Sequence, residues 1–276
     1  MIRCMIPAGT FNQSTRRRLI LLLIFSFAVV LLAVSMPPTS QPQAYHQFAD
    51  QRLLFGIPNF MNVISNLAIL LSGSAGLLFL WRSYRRLNEC QQQCFLTTAE
   101  YFPYLLVFVS AVMVVPGSAY YHWEPDNASL LWDRLPIALG VTALLAAVLS
   151  ERIHPKLGTG FLPILALMGM ASVIYWYLGE LRGIGNLNFY IVIQFYSLLL
   201  IVLLSILLPS RYTHGNEIIR VIGFYALAKL AETFDHEIYN LIGIVSGHTV
   251  KHLLAAWAIW LIVRMLQRRV PVSAKQ

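Results

Sequence analysis

Charge is scarce in this chain. Asp, Glu, Lys and Arg make up 12% of its 276 residues, about half of the quarter that soluble domains carry. Hydrophobic residues account for 58%, and mean hydropathy is +0.65. A water-soluble core of this size would lack its charged shell, so a soluble domain is excluded and lipid is the solvent. Cysteine is scarce too. Cys4, Cys90 and Cys94 offer no disulfide framework. Cys90 and Cys94, four apart in a basic loop, have no further Cys or His beside them to complete a metal site. No internal repeat or low-complexity tract is present, and no helix looks interrupted at its middle, which argues against a repeat-built transporter. The net charge of +8 does not point to nucleic acid, because the basic residues sit in short loops between apolar runs.

Those runs define the architecture. A spanning helix needs about 20 mostly apolar residues, and eight segments qualify: 18–36, 58–81, 102–122, 129–150, 161–180, 188–208, 218–238 and 246–267. Pro37, Pro38, Pro125, Pro155, Gly158, Gly185, Pro209 and Gly215 fall between them as turn residues do. Lys and Arg are distributed unevenly over the two sides. With the N-terminus cytoplasmic, that side receives 15 of the 20 basic residues, and the outer loops receive Arg52 and Arg182. The positive-inside rule therefore predicts both termini in the cytoplasm and an even number of crossings. The first span has two readings, an uncleaved anchor or a signal peptide, since Arg16–Arg18 precede its apolar run and Pro37-Pro38 follow it. The expectation is an all-α polytopic membrane helical bundle. Residues 1–40 form a cytoplasmic segment and anchor, and 41–270 form a seven-helix membrane domain.

Ionisable residues inside spans are costly, so each marks a candidate function. Here they gather at one level. Ser118 and His122 end the third span; Asp133 and Arg134 begin the fourth. Asp235, His236 and Glu237 end the seventh, and His248 and His252 begin the eighth. This topology places them all toward the outer face. His154 and His214 lie in loops on the other side. His248 and His252 are four apart, so on a helix both rings project from one face, as in the helical H-x3-H of metalloproteases. Ser118 and His122 repeat that spacing. Three neutral imidazoles with a fourth position left open are the pattern of catalytic zinc, which makes His122, His248 and His252 the candidate zinc ligands. Haem is a poor fit, because two histidines four apart on one helix cannot reach opposite faces of a macrocycle.

The combination resembles the CREST superfamily of seven-span membrane hydrolases, which includes alkaline ceramidases and the progestin and adiponectin receptors. The residues carrying the resemblance are Ser118-Ala-Tyr-Tyr-His122, Asp133 in LLWDRLP, and His248-Thr-Val-Lys-His252. The stretch Asn59 to Leu70, NFMNVISNLAIL, is similar to the first core helix of alkaline ceramidases. Segments Tyr45–Arg52, Gly56–Phe60 and Gly117–Asn127 resemble bacterial ceramidase-like proteins. The likeness covers about residues 45–267 and implies a zinc on the three histidines, with Ser118 and Asp133 beside it. It also implies a bacterial inner-membrane setting. Alkaline ceramidases carry an acidic calcium-binding cluster before that helix. This chain offers Asp50 there but has Asn59 at the helix start, so calcium dependence is not expected.

The resulting expectation is a zinc-dependent amidohydrolase that cleaves a ceramide-like lipid into a sphingoid base and a fatty acid. Asp133 would serve as general base and acid, and Ser118 would donate to the developing oxyanion. The partners would be a lipid substrate and the membrane, with no nucleic acid. The alternative is a zinc-containing receptor or lipid-binding protein without turnover. Several residues have structural readings as well. Asp133 and Arg134 can form an ion pair, and Ser118 can bond a carbonyl one turn back. Lys229 and Glu232 are spaced to pair inside the bundle. His236 can orient a ligand or face the interface. Trp123, Trp132, Tyr120 and Tyr121 are placed for an aromatic belt.

Overall fold

A computed structural model describes residues 12–87 and 94–272. Cys4 and Cys90 lie outside them. The chain is an all-α polytopic helical bundle. Its helices are α1 (Gln13–Ser35), α2 (Phe60–Ile64), α3 (Asn66–Leu87), α4 (Tyr101–Trp123), α5 (Asn127–Arg152) and α6 (Pro155–Leu181). A short α7 (Asn188–Ile191) passes through a π-helical turn, Val192–Tyr196, into α8 (Ser197–Leu207). The chain ends in α9 (Glu217–Thr233), α10 (Asp235–Ile242) and α11 (Gly247–Arg268). Among the described residues, seven helices are long and apolar enough to cross a membrane, which makes the chain an integral membrane protein.

The expected spans fall on helices, and local capping explains where their ends differ. Residue 127 rather than 129 opens α5 because Asp126 and Ser129 form a reciprocal capping box. α6 begins six residues early because the His154 side chain accepts from Lys156 N and Pro155 occupies the first turn. The expected span 218–238 is not one helix. α9 stops at Thr233, Phe234 leaves helical geometry (φ −98°, ψ 33°), and α10 starts afresh at Asp235. Apolar periodicity runs smoothly through this point; the break serves Asp235, whose buried carboxylate is needed elsewhere.

α5 is the central helix, packed between α4, α6 and α8, while α11 packs against α3 and α9. α1 lies outside the bundle. Of its side chains only Leu22 is buried, and it is attached at both ends, by Arg18 Nη1 donating to Leu207 O (2.6 Å) and by Asn188 Nδ2 donating to Pro37 O (2.9 Å). Antiparallel connections bring the C-terminal ends of α4, α6 and α9 and the N-terminal ends of α5, α7 and α11 to one end of the bundle. Loop 37–59 folds over that end.

The opposite end is closed by a buried charge cluster. Arg269, one residue past α11, is 3% exposed. Its Nε donates to Cys94 O (2.8 Å), and its Nη1 donates to Tyr104 Oη (3.1 Å) and Glu151 Oε2 (3.2 Å). Its guanidinium stacks on Tyr212, Phe95 and Tyr104. Arg152 beside it donates to the carbonyls of Leu208 and Gly215.

Candidate metal centre

The three imidazoles expected to share an ion do meet. His122 comes from the last turn of α4, and His248 and His252 come from the first turns of α11. One ligand nitrogen from each ring lies within 4.8 Å of the other two. Ring centroids are 4.6 Å apart for His122–His248, 5.1 Å for His122–His252 and 5.0 Å for His248–His252. All three residues are at most 3% exposed.

Two backbone approaches make this convergence possible. A Cβ on Gly117 would sit 2.2 Å from Trp132 O and 3.1 Å from Asp133 N, so only glycine lets α4 close on α5 beside Ser118 and Asp133. A Cβ on Gly247 would sit 2.0 Å from Ala231 O and 2.7 Å from Asp235 Cα, so glycine is equally required where α11 starts against the α9–α10 break. Ser246 caps α11 by accepting from Thr249 N. Asp235 reinforces the cap: its Oδ1 accepts from His248 N (2.6 Å) and its Oδ2 accepts from Ala49 N (2.9 Å). The α9–α10 break thus puts one carboxylate between the overlying loop and the ligand-bearing helix.

The donor set fits a metal ion. Buried polar atoms are nearly always hydrogen-bonded, yet both ring nitrogens of His122 and Nε2 of His248 have no partner among the described residues. His252 is oriented from the far side. Ser65 Oγ donates to Asn62 O (3.1 Å), and its only proton is then used, so the 2.7 Å contact with His252 Nδ1 has Nδ1–H donating to Ser65 Oγ. That tautomer leaves Nε2 with a free lone pair, the usual state of a metal-ligating histidine. Asn62 also accepts from Thr249 Oγ1, and Asn59 Nδ2 donates to His122 O (2.8 Å).

Loop 37–59 seals the cluster. Phe48, 3% exposed, places its ring edge-on to His122 and His248, with centroids at 4.6 and 4.8 Å. The loop is tied down around it. His46 bridges Tyr121 Oη and Asn127 Oδ1, at 3.0 and 3.1 Å, and burial pulls its imidazole below the ordinary histidine value. Tyr45 Oη donates to Glu232 Oε1 (3.0 Å), and burial pushes that phenol well up, keeping it protonated. Phe48 does not stand out in the sequence by spacing. Asn59, Asn62, Ser65 and Asn66 do share a helical stripe in an apolar span, and that stripe marks the polar wall behind His252.

Ser118 and Asp133, both buried, line a cavity of about 280 Å³ together with His252. Arg134, Lys229, Glu232 and Lys251 complete its polar end, and apolar side chains including Leu144, Leu198 and Ile262 form its walls. From His252 to Ile262 the cavity follows ten residues of α11, roughly 15 Å of helix. The π turn Val192–Tyr196 lies on it, with Gln194 bonded to Tyr225; such turns recur at functional sites.

Several sequence readings are corrected here. Asp133 and Arg134 do not pair: among the described residues no carboxylate lies within ion-pair distance of Arg134. Successive helical residues diverge by about 100°, so neighbours do not face each other. Tyr121 is not part of an aromatic belt. It is 1% exposed and bonded into the loop, whereas Tyr120, Trp123 and Trp132 are exposed. His236 touches no ligand and donates from Nε2 to Gln47 O. Lys229 does pair with Glu232, and Lys251 joins them at 2.8 Å. Asp50, the acidic residue nearest the position of a calcium cluster, has both carboxylate oxygens held by Arg52.

Fold and site together define an integral membrane helical bundle with a buried three-histidine centre, able to bind a metal ion, at the polar end of an apolar cavity. No family model and no curated protein sequence matches the chain.

Proposed function

We propose that this protein is an intramembrane zinc-dependent hydrolase of the alkaline ceramidase type, cleaving the amide bond of a ceramide-like lipid to release an amine and a fatty acid. The observation that carries this reading is the buried three-histidine cluster, whose member His252 lines the same cavity as Ser118 and Asp133. Zinc held by His122, His248 and His252 would supply Lewis-acid polarisation of a carbonyl and lower the pKa of water from about 15.7 to about 7. Asp133, as a carboxylate on the cavity wall, takes a proton from the attacking water and returns it to the departing amine nitrogen. Ser118 Oγ donates to the carbonyl oxygen as negative charge develops there. The apolar walls hold the acyl chain, and Phe48 excludes bulk water from the imidazole cluster.

The positive-inside distribution supports both termini in the cytoplasm and the centre toward the outer face; a bacterial inner membrane is what the resemblance to bacterial ceramidase-like proteins implies. His248→Ala tests the reading: zinc content of the purified protein and lipid amidase turnover should both fall to background. Retention of both would overturn it.

A further inference from the structure

Arg134 has no role in the chemistry above, and its surroundings are unusual for a buried cation. It is 6% exposed. A guanidinium carries five N–H donors, and burying it unpaired is costly. The protein answers with one neutral acceptor, Gln41 Oε1 at 2.7 Å from Nη2, and three aromatic rings. Trp176 lies 4.3 Å from the guanidinium carbon, Tyr190 4.9 Å and Tyr45 5.5 Å. Nη1 is buried without a partner among the described residues. Among the described residues Asp133 makes no ion pair, and the acids nearest the cage are otherwise engaged. Glu232 is occupied by Lys229, Lys251 and Tyr45, and Glu180 is engaged by Gln41 N and Trp176 Nε1. Three cations and two carboxylates line the polar end of the cavity, and Arg134 is the cation left without an acid.

The rings hold the guanidinium flat and fix its direction, and Arg presents paired donors that match a carboxylate. We infer that Arg134 is the anchor for a carboxylate on the amine half of the substrate, which makes the preferred substrate class N-acyl amino acids rather than neutral ceramides. This rests on the hydrolase reading for the amide but not for the anion site itself. Asp133 and Arg134 both line the cavity from α5. A substrate whose amide lies beside Asp133, Ser118 and His252 can therefore present a carboxylate on its amine half to Arg134. The acyl chain runs the other way, along Leu144 and Ile262.

The test uses zinc-loaded full-length protein in detergent and binding rather than turnover as its readout. N-oleoylglycine and its methyl ester share chain and amide and differ in charge. The acid should bind about 10- to 100-fold more tightly, the worth of a charged hydrogen bond. Arg134→Gln should abolish that preference with zinc content unchanged, and Arg134→Lys should retain part of it. The wild-type comparison needs no variant, so a misfolded mutant does not remove the test. Equal binding of acid and ester overturns the inference, as does a preference that survives Arg134→Gln. A preference for oleate over methyl oleate without one for N-oleoylglycine over its ester also overturns it, because Arg134 would then hold the product acid. Arg134-dependent binding of N-oleoylglycine without any hydrolysis would keep the anion site and sink the hydrolase reading instead.

Discussion

Asp235 is the most informative residue to perturb outside the imidazole cluster, because it touches no ligand nitrogen and yet joins two elements that frame the site. Its carboxylate is 8% exposed at the residue level and accepts from His248 N at 2.6 Å and Ala49 N at 2.9 Å. Asp235→Ala leaves two buried N–H groups without acceptors. Each costs about 1–3 kcal/mol, so the variant should lose on the order of 2–6 kcal/mol of stability, shared between the loop and the first turn of α11. Asp235→Asn keeps one acceptor and turns an NH2 toward the other N–H, so its loss should be about half as large. Outer partners that orient metal ligands typically contribute 10- to 100-fold in affinity, and the same order should appear in zinc binding measured by chelator competition. Thermal unfolding of purified protein with and without zinc completes the assay. Under the proposed function, added zinc should narrow the gap between variants, because an ion on the three histidines stabilises only the folded centre. Glu237→Ala, two residues along on the exposed side of α10, should stay within about 0.5 kcal/mol of wild type. An Asp235→Ala protein with wild-type zinc affinity and unchanged unfolding would refute the idea that this carboxylate positions the centre.

Two further outcomes follow from the packing. Gly247→Ala places a methyl 2.0 Å from Ala231 O, so α11 must move away from α9 and zinc occupancy of the purified protein should drop; full occupancy with unchanged thermal stability would contradict the close approach. Cys94 is 4% exposed and burial pushes its thiol above its ordinary value, so at a pH near the free-thiol value of about 8.5 it holds less thiolate and should resist iodoacetamide until the protein is unfolded. Rapid alkylation of the Cys94 peptide in the native protein, read by mass spectrometry, would show that this loop is not packed as described.

Much of the site was legible because helical periodicity converts spacing into direction. His248 and His252 had to share a face, and topology alone put His122 at their level. What escaped has a physical reason in each case. Phe48 sits in a loop, where no periodicity announces which side chain turns inward. The end of α9 at Thr233 was hidden because the apolar pattern continues past it, and only the tertiary demand on Asp235 stops the helix. Asp133 and Arg134 invited an ion pair by adjacency, but a helix turns consecutive side chains apart, and Arg134 enters an aromatic cage instead. The depth of Tyr121 depended on the loop that covers it.

The helix that carries two of the three imidazoles is a tie rod fixed at both extremities. Ser246 and Asp235 grip it beside the histidines, and Arg269 locks it into the tyrosines and Glu151 at the other end of the bundle. Seventeen residues of helical rise separate Arg269 from His252, about 25 Å. The position of the imidazoles along the bundle is therefore set partly from its opposite end. Shortening the chain to end before Arg269 would give the rod slack at its far anchor, and a change there would be felt at the three histidines.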